Sequence, residues 1–158
     1  MRSLGFFGLL IGLAGPAPAQ LLPGLGQTDE LLDPEKAFRI SLRALDGQNV
    51  EVEFRIADGY YLYRDRFSFA TASGKPLAEV EIPRGTLKED RFFGRTETFR
   101  RSVRIRVPVS AQDAAKGSVE LKVTSQGCAD VGVCYVPLEQ SVRVELPARA
   151  PAPRRGDK

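Results

Sequence analysis

The residues that first suggest chemistry are two cysteines, Cys128 and Cys134, the only cysteines in this 158-residue chain. They lie six positions apart in the segment GCADVGVCY, residues 127–135. A pair at this spacing could form a structural disulfide, contribute to a metal site, or act as a dithiol that exchanges with other proteins.

The composition argues against a metal site. The chain has no histidine, which is the commonest metal ligand and general base, and two cysteines are too few for a four-coordinate structural zinc site. The formal net charge is only +3, with acidic and basic residues interspersed, so nucleic acid is not indicated as a partner. We therefore expect no metal, no cofactor and no nucleic acid.

The spacing alone leaves a structural disulfide and an exchanging dithiol both open. A disulfide closing a loop of about seven residues would stabilise the fold by roughly 2.4 kcal/mol in the chain-entropy model, which is useful but modest. Small-loop disulfides can also be labile, and Gly127 and Gly132 permit unusual backbone angles around the pair. Asp130 would raise the pKa of a nearby thiol unless it acts as a proton carrier, and no lysine or arginine lies between the cysteines to lower that pKa. A working dithiol would therefore need a docked partner to activate it.

The N-terminus has the layout of a secretory signal peptide. Met1-Arg2 precedes an apolar run at residues 4–14, and Ala17-Pro18-Ala19 forms a small-x-small cleavage site. We predict a signal peptide over residues 1–19, a lead-in over residues 20–35, and export to an oxidising compartment, where disulfides persist.

The central part of the chain predicts short antiparallel strands. Apolar and polar side chains alternate in the runs 38–42, 50–56, 103–109, 119–123 and 142–146. Asp46-Gly47 predicts a hairpin turn between the first two runs. Residues 77–82 suggest a further strand, and residues 88–99 look like a loop. Seven to nine strands without a long amphipathic helix predict an immunoglobulin-like antiparallel β-sandwich over residues 36–147, followed by a flexible Pro/Ala-rich basic tail over residues 148–158.

Three segments resemble the N-terminal periplasmic domain of the thiol:disulfide interchange protein family DsbD. They are QGCADVGVCYVP (126–137), DGYYLYRDRFSF (58–69) and KEDRFFGRTETF (88–99), and the resemblance extends from about residue 30 to residue 147. It implies an immunoglobulin-like domain that receives electrons from a membrane thiol-disulfide transporter through a thioredoxin-like domain. The recipients would be periplasmic thioredoxin-like proteins, such as disulfide isomerases and cytochrome c maturation thioredoxins.

The resemblance also implies residue roles. Cys128 and Cys134 match the redox-active disulfide, with Cys134 forming the mixed disulfides and Cys128 resolving them. Phe92, Asp90 and Phe93 are expected to form a cap over the disulfide. The residues expected to line the site are Tyr61 and Tyr63, together with Asp130 and Tyr135 from the cysteine segment.

The chain departs from the family pattern in two places. Val136-Pro137 stands where the family often has two prolines, and the chain ends after its basic tail, whereas DsbD continues into a membrane domain and a thioredoxin-like domain. We expect either a stand-alone domain served by a separate transporter or a fragment of a longer protein.

A different function remains open from the residues alone. The chain could be an exported β-sandwich binding module whose disulfide is purely structural and whose exposed aromatic residues bind protein. Taken without the resemblance, the YYLY run is an ordinary strand and Phe92-Phe93 is ordinary core. The arginines at 100, 101, 104 and 106 are most simply the solvated face of a strand.

Overall fold

The computed structural model describes residues 30–77 and 79–147. The predicted signal peptide, the lead-in up to residue 29 and the predicted tail lie outside the described residues. Within the described part there are two four-residue helices, α1 (Pro34–Ala37) and α2 (Ala111–Ala114), and a 3₁₀ turn at Arg64–Arg66. No helix of this part is long and apolar enough to cross a membrane.

The described residues form eleven strands. In chain order they are β1 (Phe38–Ala44), β2 (Asn49–Ile56), β3 (Tyr60–Tyr63), β4 (Ser68–Thr71), β5 (Thr86–Asp90), β6 (Gly94–Phe99), β7 (Ser102–Pro108), β8 (Ser118–Ser125), β9 (Gly127–Ala129), β10 (Val133–Cys134) and β11 (Leu138–Glu145). The predicted turn at Asp46-Gly47 joins β1 to β2, whose register runs from Phe38 opposite Ile56 to Ala44 opposite Val50.

The strands build three antiparallel sheets around one core. The sheet orders are β1-β2-β7, β10-β9-β3-β6-β5 and β11-β8-β4. Alternate residues of β2, β7 and β8 point inward, which is why the sequence alternates there. The residues buried between the sheets include Val50, Val52, Phe54, Val103, Ile105, Val107, Val119, Leu121 and Val123. The predicted all-β sandwich is confirmed.

The described residues of the segment 77–82, which exclude residue 78, do not form the strand that its apolar residues suggest. Leu77, Val80 and Ile82 are half-buried against the core, and the described backbone here makes isolated bridges at Pro76 and Glu81. Pro76 and Pro83 bracket the segment, and proline has no N–H to donate to a ladder. Side-chain burial here occurs without strand pairing.

The segment 88–99 is a hairpin rather than the predicted loop. β5 and β6 pair from Thr86 opposite Thr98 to Asp90 opposite Gly94. Since β5 lies at the edge of its sheet and is mostly exposed, its sequence lacks the apolar alternation that marks a half-buried strand. The hairpin and the short strands β9 and β10 also account for a strand number above the predicted seven to nine.

Candidate redox site

The two cysteines lie directly opposite each other on neighbouring antiparallel strands. Cys128 on β9 pairs with Cys134 on β10, and the two form a disulfide with a Cα–Cα distance of 4.0 Å. A tight turn joins the strands, in which the Gly132 N–H donates to the Ala129 carbonyl at 2.9 Å and Gly132 has φ +90°. The two sulfurs differ in access, because Cys128 is completely buried and Cys134 is partly exposed.

Strand β3 places two tyrosines beside the disulfide. β3 lies between β9 and β6, and Tyr61 is directly opposite Cys128. Because side chains alternate along a strand, Tyr60 and Leu62 enter the main core while Tyr61 and Tyr63 share the other face with the cysteines. All four residues of β3 are buried, so this strand supports both the fold and the site.

The hydroxyl of Tyr63 is the polar group closest to the sulfurs. It lies 3.1 Å from Cys128 Sγ and 3.9 Å from Cys134 Sγ. Neither sulfur carries a hydrogen in the disulfide, so the hydroxyl is the donor. Burial, together with the neighbouring Tyr61 and Asp90, raises the pKa of Tyr63 far above its usual value, so the group stays protonated. It can therefore donate to a thiolate that forms on Cys128.

Asp90 is a buried carboxylate at the centre of a polar network. Its Oδ2 accepts hydrogen bonds from the Tyr61 hydroxyl at 2.9 Å and from Lys88 Nζ at 3.0 Å, and its Oδ1 accepts from the Phe92 N–H at 2.8 Å. Burial by itself would raise the pKa of Asp90, but these hydrogen bonds outweigh burial and hold the pKa well below its usual range. Asp90 therefore stays ionised and fixes the turn that follows it.

The turn 91–93, which we call the cap turn, projects its two phenylalanines differently. The Phe93 ring packs edge-on against Tyr63 with a centroid distance of 4.8 Å, and the Arg66 guanidinium lies over the Phe93 ring, 4.2 Å from its centroid. Phe92 is 50% exposed, and the Arg91 guanidinium lies 4.5 Å from its ring centroid. In the structure Phe93 is thus the phenylalanine joined to the tyrosine that contacts both sulfurs.

The cysteine segment contains no lysine or arginine, but Arg100, which directly follows β6, contacts it. Arg100 binds both carboxylate oxygens of Asp130, at 2.9 and 2.6 Å, and lies over the Tyr61 ring at 5.2 Å. The hydrogen bonds from Arg100 lower the pKa of Asp130, and the guanidinium offsets the negative charge of the carboxylate. Sequence reasoning placed Arg100 on a solvated face and missed this pairing, because the two residues are thirty positions apart.

Tyr135 is placed apart from the other predicted site residues. Its ring packs against Phe38 at 5.7 Å and Tyr60 at 6.2 Å, and its hydroxyl donates to the Leu32 carbonyl. Burial and the Tyr60 hydroxyl raise the pKa of Tyr135 to about 12. Tyr135 therefore packs with the main core. Tyr61 and Tyr63 pack on the disulfide, while Asp90 and Phe93 reach it through these tyrosines. Phe92 and Asp130 instead contact Arg91 and Arg100.

Exposed apolar side chains occur in the cap turn and on both sides of Cys134 along the chain, and most of them were not predicted from the sequence. This set, which we name the docking surface, comprises Phe92, Phe93, Val131, Val133 and Val136, exposed by 36–82%. The valines lie within residues 126–137, where they alternate with small or polar residues. Exposed apolar residues clustered on a folded domain commonly mark a protein-binding site.

Within the described residues no group of three or more Cys, Asp or Glu side chains is arranged to hold a metal ion. The groups that the site brings together are the disulfide, the tyrosines and the Asp90 network.

The family described as "Thiol:disulfide interchange protein DsbD, N-terminal" matches residues 28–146. This chain belongs to the DsbD N-terminal domain family. The domain of this family is periplasmic. A DsbD of Ralstonia nicotianae is 46% identical over 147 residues, covering 92% of this chain and 24% of that protein. DsbD 2 of Pseudomonas aeruginosa is 36% identical, covering 84% of this chain and 23% of that protein. The chain thus spans about a quarter of the length of these curated relatives.

Two solved structures of DsbD N-terminal domains share the fold. The reduced domain from Neisseria meningitidis has a TM-score of 0.64 at 36% identity, covering 76% of this chain and 94% of that one. The complex between the DsbD N-terminal and PilB N-terminal domains from Neisseria meningitidis has a TM-score of 0.58 at 38% identity, covering 71% and 85%. The immunoglobulin-like sandwich predicted from the sequence is confirmed.

Replacing the buried Asp90 with asparagine should weaken the fold and flatten its acid dependence. The folded-state pKa of Asp90 is below the unfolded value, so its stabilisation is present above about pH 5 and is lost as the pH falls towards 2. We expect Asp90→Asn to lower the free energy of unfolding at pH 7 by about 2 kcal/mol and to lose less further stability in acid than the unsubstituted protein.

Urea denaturation at pH 7, 5 and 3 measures this effect. Asp65→Asn is the matched control, because the Asp65 side chain is 72% exposed and its ion pair with Arg64 is a surface contact. It should change stability by less than about 0.5 kcal/mol. Equal acid dependence in Asp90→Asn and the unsubstituted protein would contradict the role assigned to the ionised carboxylate.

Proposed function

We propose that this domain is a periplasmic dithiol–disulfide carrier. It takes reducing equivalents from a membrane thiol-disulfide transporter, by way of a thioredoxin-like domain, and passes them to thioredoxin-like periplasmic proteins. The observation that carries the proposal is the asymmetry of the disulfide, in which Cys134 is partly exposed beside the docking surface and Cys128 is buried against the Tyr63 hydroxyl.

The difference in burial between the two cysteines supports the proposed order of the exchange steps. A thiolate of the reduced donor attacks Cys134 Sγ, a bond forms between these two sulfurs, and the Cys128–Cys134 bond breaks. The electron pair leaves with Cys128 as a thiolate, which the Tyr63 hydroxyl stabilises by donating a hydrogen bond. The second donor thiolate then attacks its own partner sulfur in the mixed disulfide and releases Cys134. The donor is oxidised to a disulfide, and this domain is reduced by two electrons and takes up two protons.

Delivery to a recipient runs by the same steps in reverse. The Cys134 thiolate attacks a sulfur of the recipient's disulfide, and the released recipient sulfur leaves as a thiolate. Cys128 then attacks Cys134 Sγ, which re-forms the internal disulfide and frees the recipient as a dithiol. Because Cys128 is buried, it can reach Cys134 but not an outside sulfur, so it acts as the resolving cysteine.

The docking surface supplies the contact that such an exchange needs. In-line attack on Cys134 requires the partner's active site to sit against the cap turn and the cysteine segment, and both present exposed apolar side chains. A solved DsbD N-terminal domain in complex with the PilB N-terminal domain supports a protein partner for this domain type. The predicted roles of Phe92, Phe93 and Asp90 as a cap over the disulfide form part of the proposal.

The proposal includes a signal peptide at the N-terminus that directs export of the chain. The proposed signal peptide ends near Ala19, because the apolar run at residues 4–14 and the Ala17-Pro18-Ala19 site have the required order. Sequencing the N-terminus of protein recovered from the periplasm should show that residues 1–19 are absent; an intact Met1 would contradict this part of the proposal.

The redox potential distinguishes a carrier from a binding module with a structural disulfide. We expect the Cys128–Cys134 couple to have a midpoint potential above about −300 mV, within reach of thioredoxin-like partners, whereas structural disulfides lie below that value. Equilibration in graded dithiothreitol buffers, followed by alkylation of free thiols and a mass readout, measures it. The chain has no other cysteine to confuse the count. A couple that stays oxidised down to −300 mV and below would overturn the carrier function.

A further inference from the structure

Arg91 at the tip of the β5–β6 hairpin contacts two features of the site at once. Its guanidinium donates a hydrogen bond to the carbonyl of Gly132, which lies in the turn between the two cysteine strands. The same guanidinium lies over the Phe92 ring, 4.5 Å from the centroid. One exposed side chain therefore joins the cap turn to the cysteine turn and holds the more exposed cap phenylalanine in place.

The backbone at Gly132 is shaped to receive that guanidinium. Gly132 has φ +90°, a left-handed conformation that other residues rarely adopt. A Cβ at this position would also lie 3.0 Å from Arg91 Cζ and 3.2 Å from its Nη1. The glycine thus permits both the turn and the close approach of Arg91.

The remaining contacts of the cap turn go to other parts of the site. Phe93 packs on Tyr63, and the N–H groups of Phe92 and Phe93 donate to Asp90 at the end of β5. Among the described residues, the bond from Arg91 to Gly132 is the hydrogen bond that links the cap turn 91–93 to the cysteine turn 130–132. Moving the cap turn away from the cysteine turn requires this bond to break.

We propose that Arg91 is a positioning residue for disulfide exchange, which holds the cap turn against the cysteine turn and thereby limits access to Cys134. This inference rests on the proposed carrier function and concerns how the same site is controlled. The guanidinium suits the task because it can donate in its plane to a carbonyl while its face lies on an aromatic ring. A docking partner would displace this contact by occupying the docking surface.

The test is the rate at which a small reductant reduces the disulfide. Dithiothreitol is suitable because it needs access to Cys134 but no docking surface. Its attacking form is a thiolate anion, so the rate is measured at about 1 M salt, where the lost charge of Arg91 is screened. We expect Arg91→Gln to raise the second-order rate constant about 5- to 10-fold, since an exposed charged hydrogen bond and a cation–π contact are lost together. Arg91→Lys keeps a donor and a cation and should restore the rate to within about twofold of the unsubstituted protein.

Arg95→Gln is the matched control. Arg95 is an exposed arginine of the same hairpin, on β6 opposite Glu89 and outside the cap turn. It should leave the rate unchanged. The ratio of the Arg91→Gln rate to the unsubstituted rate should be the same at about 0.1 M and about 1 M salt, since Arg91 acts on access and not on the charge around the sulfurs. The thermal midpoint should also stay within about 2 °C, because the side chain is exposed.

Three outcomes would overturn the proposal: an Arg91→Gln rate equal to the unsubstituted one, an equal rise in Arg95→Gln, or failure of lysine to restore the rate. A rate ratio that changes with salt would likewise replace access with charge as the cause. Because the rate at high salt reports on access, a failure here is distinct from a failure of the carrier function, which the midpoint potential decides.

Discussion

The Cys128→Ser variant should accumulate mixed disulfides with thioredoxin-like periplasmic proteins, and Cys134→Ser should accumulate none. The partly exposed Cys134 remains able to attack or be attacked in the first variant, but no neighbouring thiol is left to resolve the adduct. In the second variant the remaining thiol is completely buried, so a partner sulfur cannot approach it in line. Turnover of disulfide exchange should be lost in both variants, but only Cys128→Ser should accumulate mixed disulfides with partner proteins.

The measurement is non-reducing electrophoresis of periplasmic extract, followed by mass spectrometry of species that reducing agent releases. The variant lacking both cysteines is the blank, and the two single variants differ by one sulfur position only, so each controls the other. Trapping by Cys134→Ser alone would reverse the assigned roles. Absence of adducts with both single variants would contradict the carrier function.

Replacing Gly127 with alanine should cause the largest loss of stability. A Cβ at Gly127 would overlap the Tyr61 carbonyl oxygen and lie 2.7 Å from Phe38 Cζ. The carbonyl belongs to the backbone of the neighbouring strand β3 and cannot rotate away, so the two strands must separate. We expect a loss of about 3 kcal/mol in the free energy of unfolding and a fall of about 10 °C in the thermal midpoint.

Gly47→Ala is the matched control for this substitution. Gly47 lies in the β1–β2 turn, where an added Cβ would make an ordinary contact of 3.7 Å with the Pro147 carbonyl. It should change stability by less than about 0.5 kcal/mol. Calorimetry and urea denaturation of both variants give the comparison, and equal effects at the two glycines would show that the approach of β9 to β3 is not tight. Since Gly127 precedes Cys128, the same substitution should also move the disulfide relative to Tyr61.

The local sequence was sufficient for elements whose side chains face one core. β2 and β7 alternate buried and exposed residues, so their period of two predicted strands directly. The same rule failed for 88–99, because β5 is an exposed edge strand, and for 77–82, because the flanking prolines prevent pairing. Alternation records burial, and it predicts a strand only where burial and backbone pairing coincide.

The network around the disulfide depends on residues that are distant in the chain. Asp90 reaches Tyr61 across 29 positions, Tyr63 reaches Cys128 across 65, and Arg100 reaches Asp130 across 30. No spacing rule links such residues, because sheet order and register bring them together. The resemblance did identify Asp90, Tyr61 and Tyr63, but not Lys88, Arg91 or the paired state of Asp130.

The sequence by itself determined a β-sandwich with one cysteine pair and, through three family-like segments, a redox family. These features could be predicted because residue type, spacing and alternation are properties of neighbouring positions in the chain. Only the tertiary structure decided that Cys128 is buried while Cys134 is partly exposed, that Tyr63 donates to the buried sulfur, and that Arg91 reaches Gly132. These are consequences of β9 packing between β3 and β10, which places one sulfur under the sheet's tyrosines and leaves the other at its edge.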